Sequence, residues 1–201
     1  MAAVAKTTIS PEEYLAQERQ AETKSEYVDG EVYAMTGASG PHNTISVNLI
    51  LALGPQVRSG SCNIYANDMR VRVGRRAYLY PDVVVVCGEV ELEDDGVDTL
   101  LNPTLVVEVL SPSTEDYDFG KKFALYRSIP SLQEYVLVAQ DRCHVVHYAR
   151  QGDNTWLLSE TRSLDDAISL SSIGCRLALR DVYQRVEFPA EAEDLSTDNN
   201  E

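Results

Sequence analysis

The sequence predicts one mixed α/β domain, a covered sheet with helices against it, and three observations carry that reading. The first is a pair of short, β-branched runs at residues 80–86 and 105–110, bounded by Gly88, Pro103 and Pro112. Both runs are apolar on the two faces, which places them inside a sheet covered on both sides. The second is helical periodicity between the strand-like runs, at residues 42–58 and 119–127. The third is size: 201 residues suit one domain with a proper core, and a hydrophobic fraction of 44% is ordinary for a folded chain.

In chain order, Ser10-Pro11-Glu12-Glu13 is a helix start, with serine as cap, proline at the first helical position and a glutamate three residues after the cap. That helix is expected to reach about residue 20. Residues 25–28 and 31–35 flank Asp29-Gly30, a strong hairpin signal. From His42, Ile45, Leu49, Ala52, Leu53 and Val57 recur at helical spacing, and Gly54-Pro55 is expected to end or kink the helix. Met69, Val71 and Val73 alternate with Asp68, Arg70 and Arg72, a half-wet strand expected to turn at Gly74-Arg75-Arg76 into the strand that carries Asp82. After the second apolar run, Ser111-Pro112-Ser113-Thr114 is a tight exit, and Asp118 reads as the cap of a helix over 119–127. Strands follow at 133–139 and 144–149, an edge strand at 155–159, and a short helix at 177–183. His144 and His147, three apart on a strand, face opposite sides and make a poor metal pair. The domain is expected over 10–186, between an N-terminus (1–9) and an acidic tail (187–201) that both read as disordered.

Composition narrows the function. No apolar run is long enough to span a membrane, and the first residues carry no secretory h-region. The cysteines, Cys62, Cys87, Cys143 and Cys175, form no Cys-x-x-Cys pair, so free thiols in a reducing cytoplasm are expected. The net charge is −15, but 12 of the 32 acids lie in 89–98 and 187–201, leaving 20 against 17 bases, a body near −3. The first stretch reads as a solvated loop. The body has no strong basic patch, which argues against tight, non-specific binding to a long duplex.

The chemistry is concentrated in the two apolar runs. Glu108 sits between valines, where an ionised carboxylate is costly unless paired, hydrogen-bonded or bound to a metal. Asp82 opens the neighbouring run. Two carboxylates on adjacent buried strands suit a hard divalent cation, since Mg²⁺ takes one or two protein carboxylates and keeps water elsewhere. The bland alternatives are a turn aspartate at 82 and a structural ion pair of Glu108 with Arg70 or Arg72. On the following helix Lys122 and Tyr126 share a face, so Lys122 can point back to the sheet while Lys121 faces water.

As an ordered set, the Asp-Gly-Glu hairpin, the helix from His42, the Pro-Asp strand, Val-Glu-Val-Leu-Ser-Pro-Ser, Asp-x-x-x-Lys-x-x-x-Tyr and Glu134-Tyr135-x-Leu-Val resemble the putative restriction endonuclease family. That family lies within the PD-(D/E)XK nuclease-like superfamily, and the resemblance covers about residues 11–183. It implies a restriction endonuclease-like fold, a mixed central β-sheet flanked by helices with the site at one edge. It maps the superfamily aspartate onto Asp82 and the glutamate onto Glu108. The lysine expected two residues later is replaced by Leu110, which points to Lys122 on the following helix, with Lys121 as the second candidate. Glu31 matches an extra acidic position and His42 a site histidine.

On this reading Asp82, Glu108 and the Val109 carbonyl hold Mg²⁺ or Mn²⁺, Lys122 orients the nucleophile or stabilises phosphorus, Glu31 binds the metal through water or takes a second cation, and His42 aids proton transfer. The expected activity is divalent-dependent hydrolysis of DNA phosphodiester bonds in the cytoplasm. A homodimer is expected where both strands are cut. The alternatives are a non-catalytic DNA-binding or protein-interaction module on the same fold, and a small-substrate phosphodiesterase, which the acidic body fits better than a long duplex.

Overall fold

The computed structural model describes residues 8–58, 60–93 and 98–189. The two apolar runs become β6 (Val83–Cys87) and β8 (Leu105–Leu110), neighbours in a six-stranded sheet. The order of that sheet is β11-β10-β9-β8-β6-β3, with β3 at Cys62–Ala66, β9 at Glu134–Ala139, β10 at Val145–Arg150 and β11 at Trp156–Thr161. It is mixed: β8 and β9 run parallel and the other pairs antiparallel.

Both faces are covered, which is why β6, β8 and β9 could dispense with alternation. On one face lies α2 (Gly40–Val57), whose Ile45, Leu49, Leu53 and Val57 pack on Val83, Val85, Leu105, Val107 and Val136. The hairpin of β12 (Ala167–Leu170) and β13 (Cys175–Ala178) and the short α5 (Leu179–Val182) complete that layer. On the other face, Val84, Val86, Val106, Leu110 and Leu137 meet Val71, Val73 and Leu79 of a second sheet, together with Leu125 and Tyr126. The second sheet has the order β2-β1-β5-β4-β7, with β1 at Ser25–Val28, β2 at Glu31–Ala34, β4 at Arg70–Val73, β5 at Ala77–Leu79 and β7 at Thr99–Leu100. Its outer face is closed by α1 (Pro11–Glu18) through Tyr14, Leu15, Tyr27 and Tyr78. Helix α1 begins with the capping box foreseen for Ser10 and Glu13.

Four expectations are corrected. The strand at residues 70–73 does not turn directly into the Asp82 strand, because β5 intervenes and pairs with β4 and β1 in the other sheet. Helix α2 runs through Gly54-Pro55 to Val57, since buried Leu53 and Val57 hold its last turn on the sheet and a proline there removes one hydrogen bond only. The acidic stretch is partly structural: Glu93 is buried against Arg72 at 2.6 Å, and Asp98 pairs with Arg19 and Arg70, both at 3.1 Å. Cys62 and Cys87 are not free thiols, because the β3–β6 register sets them opposite each other and they form a disulfide. Cys143 and Cys175 are free.

Of the expected N-terminal tail, Ile9 hydrogen-bonds Gly30 and packs on the tyrosine cluster, while residues 1–7 lie outside the described residues. Of the acidic tail, Phe188 packs on Tyr183, and residues 190–201 lie outside the described residues. Among the described residues no helix is long and apolar enough to cross a membrane.

Candidate active site

Strand pairing alone brings the two carboxylates together. The antiparallel β6–β8 ladder ends with Val83 facing Val107, so Asp82, the residue before β6, and Glu108, the next residue of β8, lie at the same end of neighbouring strands. The Asp82 carboxylate also accepts the Val109 main-chain N–H at 2.7 Å, which ties it to the end of β8. Glu108 points to the face that carries Val106 and Leu110, towards the second sheet and the helical run after β8.

That run is continuous but not uniform. It starts as α3 (Glu115–Tyr117), widens into a π-turn at Asp118–Lys122 and resumes as α4 (Phe123–Tyr126). Asp118 is therefore not the helix cap expected from sequence. The helix begins earlier, and the wide turn brings Asp118 and Lys122 inward together, a device frequent at functional sites. Both are buried, and Lys121 is exposed.

Lys122 is the hub. Its Nζ lies 2.9 Å from Glu108 Oε1, 3.2 Å from Glu26 Oε1 and 3.7 Å from Asp118 Oδ1. The Tyr126 hydroxyl donates to the same Glu108 oxygen at 3.2 Å, and the Tyr135 hydroxyl donates to the Asp118 carbonyl at 3.1 Å. Glu26 is fixed from behind by the Tyr80 N–H at 2.9 Å. His42, in the first turn of α2, brings Nε2 to 3.4 Å from Asp82 Oδ2. Arg70 and Arg72, the other candidate partners for Glu108, are engaged by Asp98 and Glu93 instead.

The electrostatics follow from this crowding. Burial pushes Glu108 well above the usual carboxyl range; Lys122 offsets part of that, and Asp118, Asp82 and Glu26 add to it. Burial also penalises the Lys122 ammonium, but Glu108 and Glu26 outweigh the penalty and keep it protonated. Asp118 is likewise raised, chiefly by burial. For His42, burial works against the imidazolium, and Asp82 with the Val109 main chain outweighs it, so its pKa stands above the ordinary histidine value. Four carboxylates, Glu26, Asp82, Glu108 and Asp118, thus converge on one ammonium and one imidazole. The cluster is short of positive charge.

The structure therefore brings together Asp82, Glu108, Lys122, His42 and the Val109 main chain. Glu31 stands apart from the Lys122 contacts. It opens β2 on the same face as Glu26, opposite Val28, and accepts the Tyr33 hydroxyl at 2.5 Å. The buried acid contributed by the hairpin is Glu26. Its signal was an acid three residues before Asp29 of the Asp-Gly turn and one before the buried Tyr27, where the alternation places it inward with Val28.

Whether this donor set fits a metal can be judged from its chemistry. Among the described residues no group of three or more His, Cys, Asp and Glu side chains forms a ready metal shell. What is present is the Asp82 and Glu108 carboxylates at the same end of neighbouring strands, beside the Val109 main chain, all oxygen donors within a cluster that is short of positive charge. That matches a hard cation which keeps several waters.

Comparison with known proteins agrees with this architecture. Residues 11–180 match the model of the Uma2 family, described as "Putative restriction endonuclease". Two uncharacterized proteins of Synechocystis are 39% identical: sll1609 over 85% of this chain and 98% of its own length, and slr1290 over 90% and 94%. The crystal structure of "a putative nuclease belonging to DUF820" from Anabaena variabilis superposes with a TM-score of 0.73 at 20% identity, covering 87% of this chain and 97% of that one, and thereby shares the fold.

Proposed function

The chain belongs to the Uma2 family, and from that premise we propose that it is a divalent-metal-dependent nuclease acting at the Asp82–Glu108 cluster. The observation that carries the proposal is that Asp82 and Glu108 lie at the same end of neighbouring strands, with Lys122 at 2.9 Å from Glu108. A purely structural Glu108–Lys122 pair would not need two further acids, Glu26 and Asp118, around the same lysine.

Asp82, Glu108 and the Val109 carbonyl would hold Mg²⁺ or Mn²⁺. When bound, such an ion supplies a water of lowered pKa and neutralises charge on the scissile phosphate. The chain's own groups do the rest. Hydrolysis forms a bond from the water oxygen to phosphorus and breaks a phosphorus–oxygen ester bond. Lys122, held by Glu108 and Glu26, presents an ammonium that can orient the attacking water or stabilise the equatorial phosphate oxygens. His42, whose imidazolium Asp82 favours, is placed to give a proton to the leaving oxygen. Glu26 adds a positioning role, holding Lys122, and Glu31 keeps the part proposed from sequence, binding the metal through water or taking a second cation.

DNA is the first substrate to test, and a cytoplasmic location belongs to the same proposal, although the Cys62–Cys87 disulfide withdraws the argument made from free thiols. A homodimer is part of the proposal only for a duplex cut on both strands. The test is incubation of the protein with plasmid, single-stranded DNA, RNA and small phosphodiesters, with Mg²⁺, with Mn²⁺ and with chelator. Divalent-dependent cleavage of a polynucleotide supports the reading. Turnover of small diesters alone would favour the small-substrate phosphodiesterase, and no turnover a non-catalytic module.

A further inference from the structure

The groups of the site lie deep. The Lys122 side chain is 8% exposed and that of Glu108 4%. A phosphate in a stiff, regular duplex, whose persistence length is about 50 nm, cannot follow a path to such a depth without deformation. The body of the chain is near neutral to acidic and carries no basic stripe that would release counterions from a duplex. Both facts disfavour a long, regular double helix as the ligand.

The rim of the site offers something else. In the β1–β2 ladder Glu26 faces Tyr33, so Tyr33 lies on the same side of the sheet as the Lys122 cluster, one strand further out at the sheet edge. The residue is 44% exposed, and its hydroxyl is anchored on Glu31. Lys121 Nζ lies 6.0 Å from the centre of that ring. Lys121 is the sequence neighbour of Lys122, so the platform and the buried ammonium share one turn of the helical run. Asp29, whose carboxylate feels Lys121, is held by both guanidinium contacts of Arg76, at 3.0 and 2.9 Å. An oriented, exposed aromatic ring beside a cation is what single-strand binders use: the ring stacks a base of any identity and the cation meets its phosphate.

We propose that the substrate is an unpaired strand of nucleic acid, one base of which stacks on Tyr33 while Lys121 meets the adjoining phosphate. The proposal rests on the nuclease reading above and names its substrate class. A nucleotide seated there has its backbone next to the turn that carries Lys122, which brings the following phosphodiester towards Asp82 and Glu108. Stacking reads no sequence, so base preference is expected to be weak.

The experiment measures binding of a fluorescent DNA of about 15 nucleotides, single-stranded or in duplex, by anisotropy in chelator, with cleavage in Mg²⁺ alongside. The single strand should bind at least roughly tenfold tighter than the duplex. Tyr33→Ala should weaken single-strand binding by roughly 5- to 150-fold, the loss of one stacked base, and Tyr33→Phe should retain it. Lys121→Ala should weaken it too and flatten the slope of log affinity against log salt by about 0.7, the share of one phosphate contact. Melting curves control for folding. Duplex bound as tightly as single strand, or Tyr33→Ala binding like the wild type, overturns the proposal. If the wild type cuts duplex and Tyr33→Ala cuts it equally well, the substrate class is wrong and the nuclease reading stands. If the wild type neither binds nor cuts any of these nucleic acids, both fall.

Discussion

Replacing Lys122 by methionine keeps much of the side chain's volume and removes the charge on which the cluster converges. Glu108 at 2.9 Å and Glu26 at 3.2 Å both lose their counterion in a buried setting. Removing one partner of a buried pair costs about 3–5 kcal/mol, because a charge is left uncompensated. For a domain of this size about 1 kcal/mol moves the melting temperature by 2–4 °C, so a fall of roughly 6–20 °C is expected near pH 8. The loss should shrink in acid. Glu108 already has a folded pKa above its unfolded value, and without Lys122 it rises further. A carboxyl raised in this way holds its proton in the folded state after the unfolded chain has lost it. Its stabilising share is therefore full below about pH 4.5 and fades as pH climbs towards the folded value. The gap between the wild type and Lys122→Met must then be wider at pH 8 than at pH 5. Paired thermal and denaturant melts at both pH values measure it. A gap below about 1 kcal/mol at pH 8, or one of equal size at both pH values, would refute the charge accounting.

Three further outcomes follow from particular contacts. If Asp82 and Glu108 share a cation, Mn²⁺ should raise the melting temperature of the wild type, by the equivalent of about 2.7 kcal/mol at a hundredfold excess over Kd, and should do so neither for Asp82→Asn nor for Glu108→Gln; equal shifts in all three proteins would dismiss the shared site. Glu134 accepts from the Ser171 and Ser172 N–H groups at 3.1 Å and from the Ser172 hydroxyl, and contacts His147 Nε2 at 3.0 Å; burial pushes its pKa up, but His147 and Ser172 outweigh that and hold it low. Its stabilising share is thus present above about pH 4.5 and lost as pH falls through the folded value, so Glu134→Gln should cost about 1–3 kcal/mol at pH 7 and much less at pH 3.5, read from melts at the two pH values. The Cys62–Cys87 bond closes a sequence separation of 25 residues, which in the chain-entropy model is worth about 3–4 kcal/mol; a reductant should lower the melting temperature of the wild type and leave a Cys62→Ser/Cys87→Ser variant unmoved.

The sequence made the centre of the molecule legible and the periphery much less so. Glu108 and Asp82 stood out because a charge inside a β-branched run has few reasons to be there, and Lys122 because the helix period points it inward. His42 was located by its place at the start of α2. Glu26 was missed because a glutamate in a four-residue strand reads as solvent-facing unless the strand's inner face is known, and that face is set by β5 and α1. Asp118 was misplaced because a π-turn has no signature in residue spacing, so an acid before a helical run looks like a cap. Strands β3, β7, β12 and β13 escaped notice since two to five residues carry too little alternation to register. The disulfide depends on the β3–β6 register, a contact between strands 25 residues apart in sequence at the cysteine pair, which no local pattern encodes. The buried role of Glu93 likewise needed Arg72 and Tyr78 to be brought beside it.

The central claim is that Asp82 and Glu108, at the adjoining ends of β6 and β8, form a phosphodiester-cleaving site, and it is tested most directly by single-turnover cleavage of a labelled single-stranded oligonucleotide with Mg²⁺ or Mn²⁺, comparing the wild type with Glu108→Gln. That substitution keeps the shape of the side chain, and its contacts with Lys122 and Tyr126 can still be met by the amide oxygen, so folding should be retained on melting. The account predicts cleavage by the wild type that chelator abolishes, and no cleavage above background by a folded Glu108→Gln. Cleavage by Glu108→Gln at the wild-type rate, or by the wild type in chelator, would contradict it.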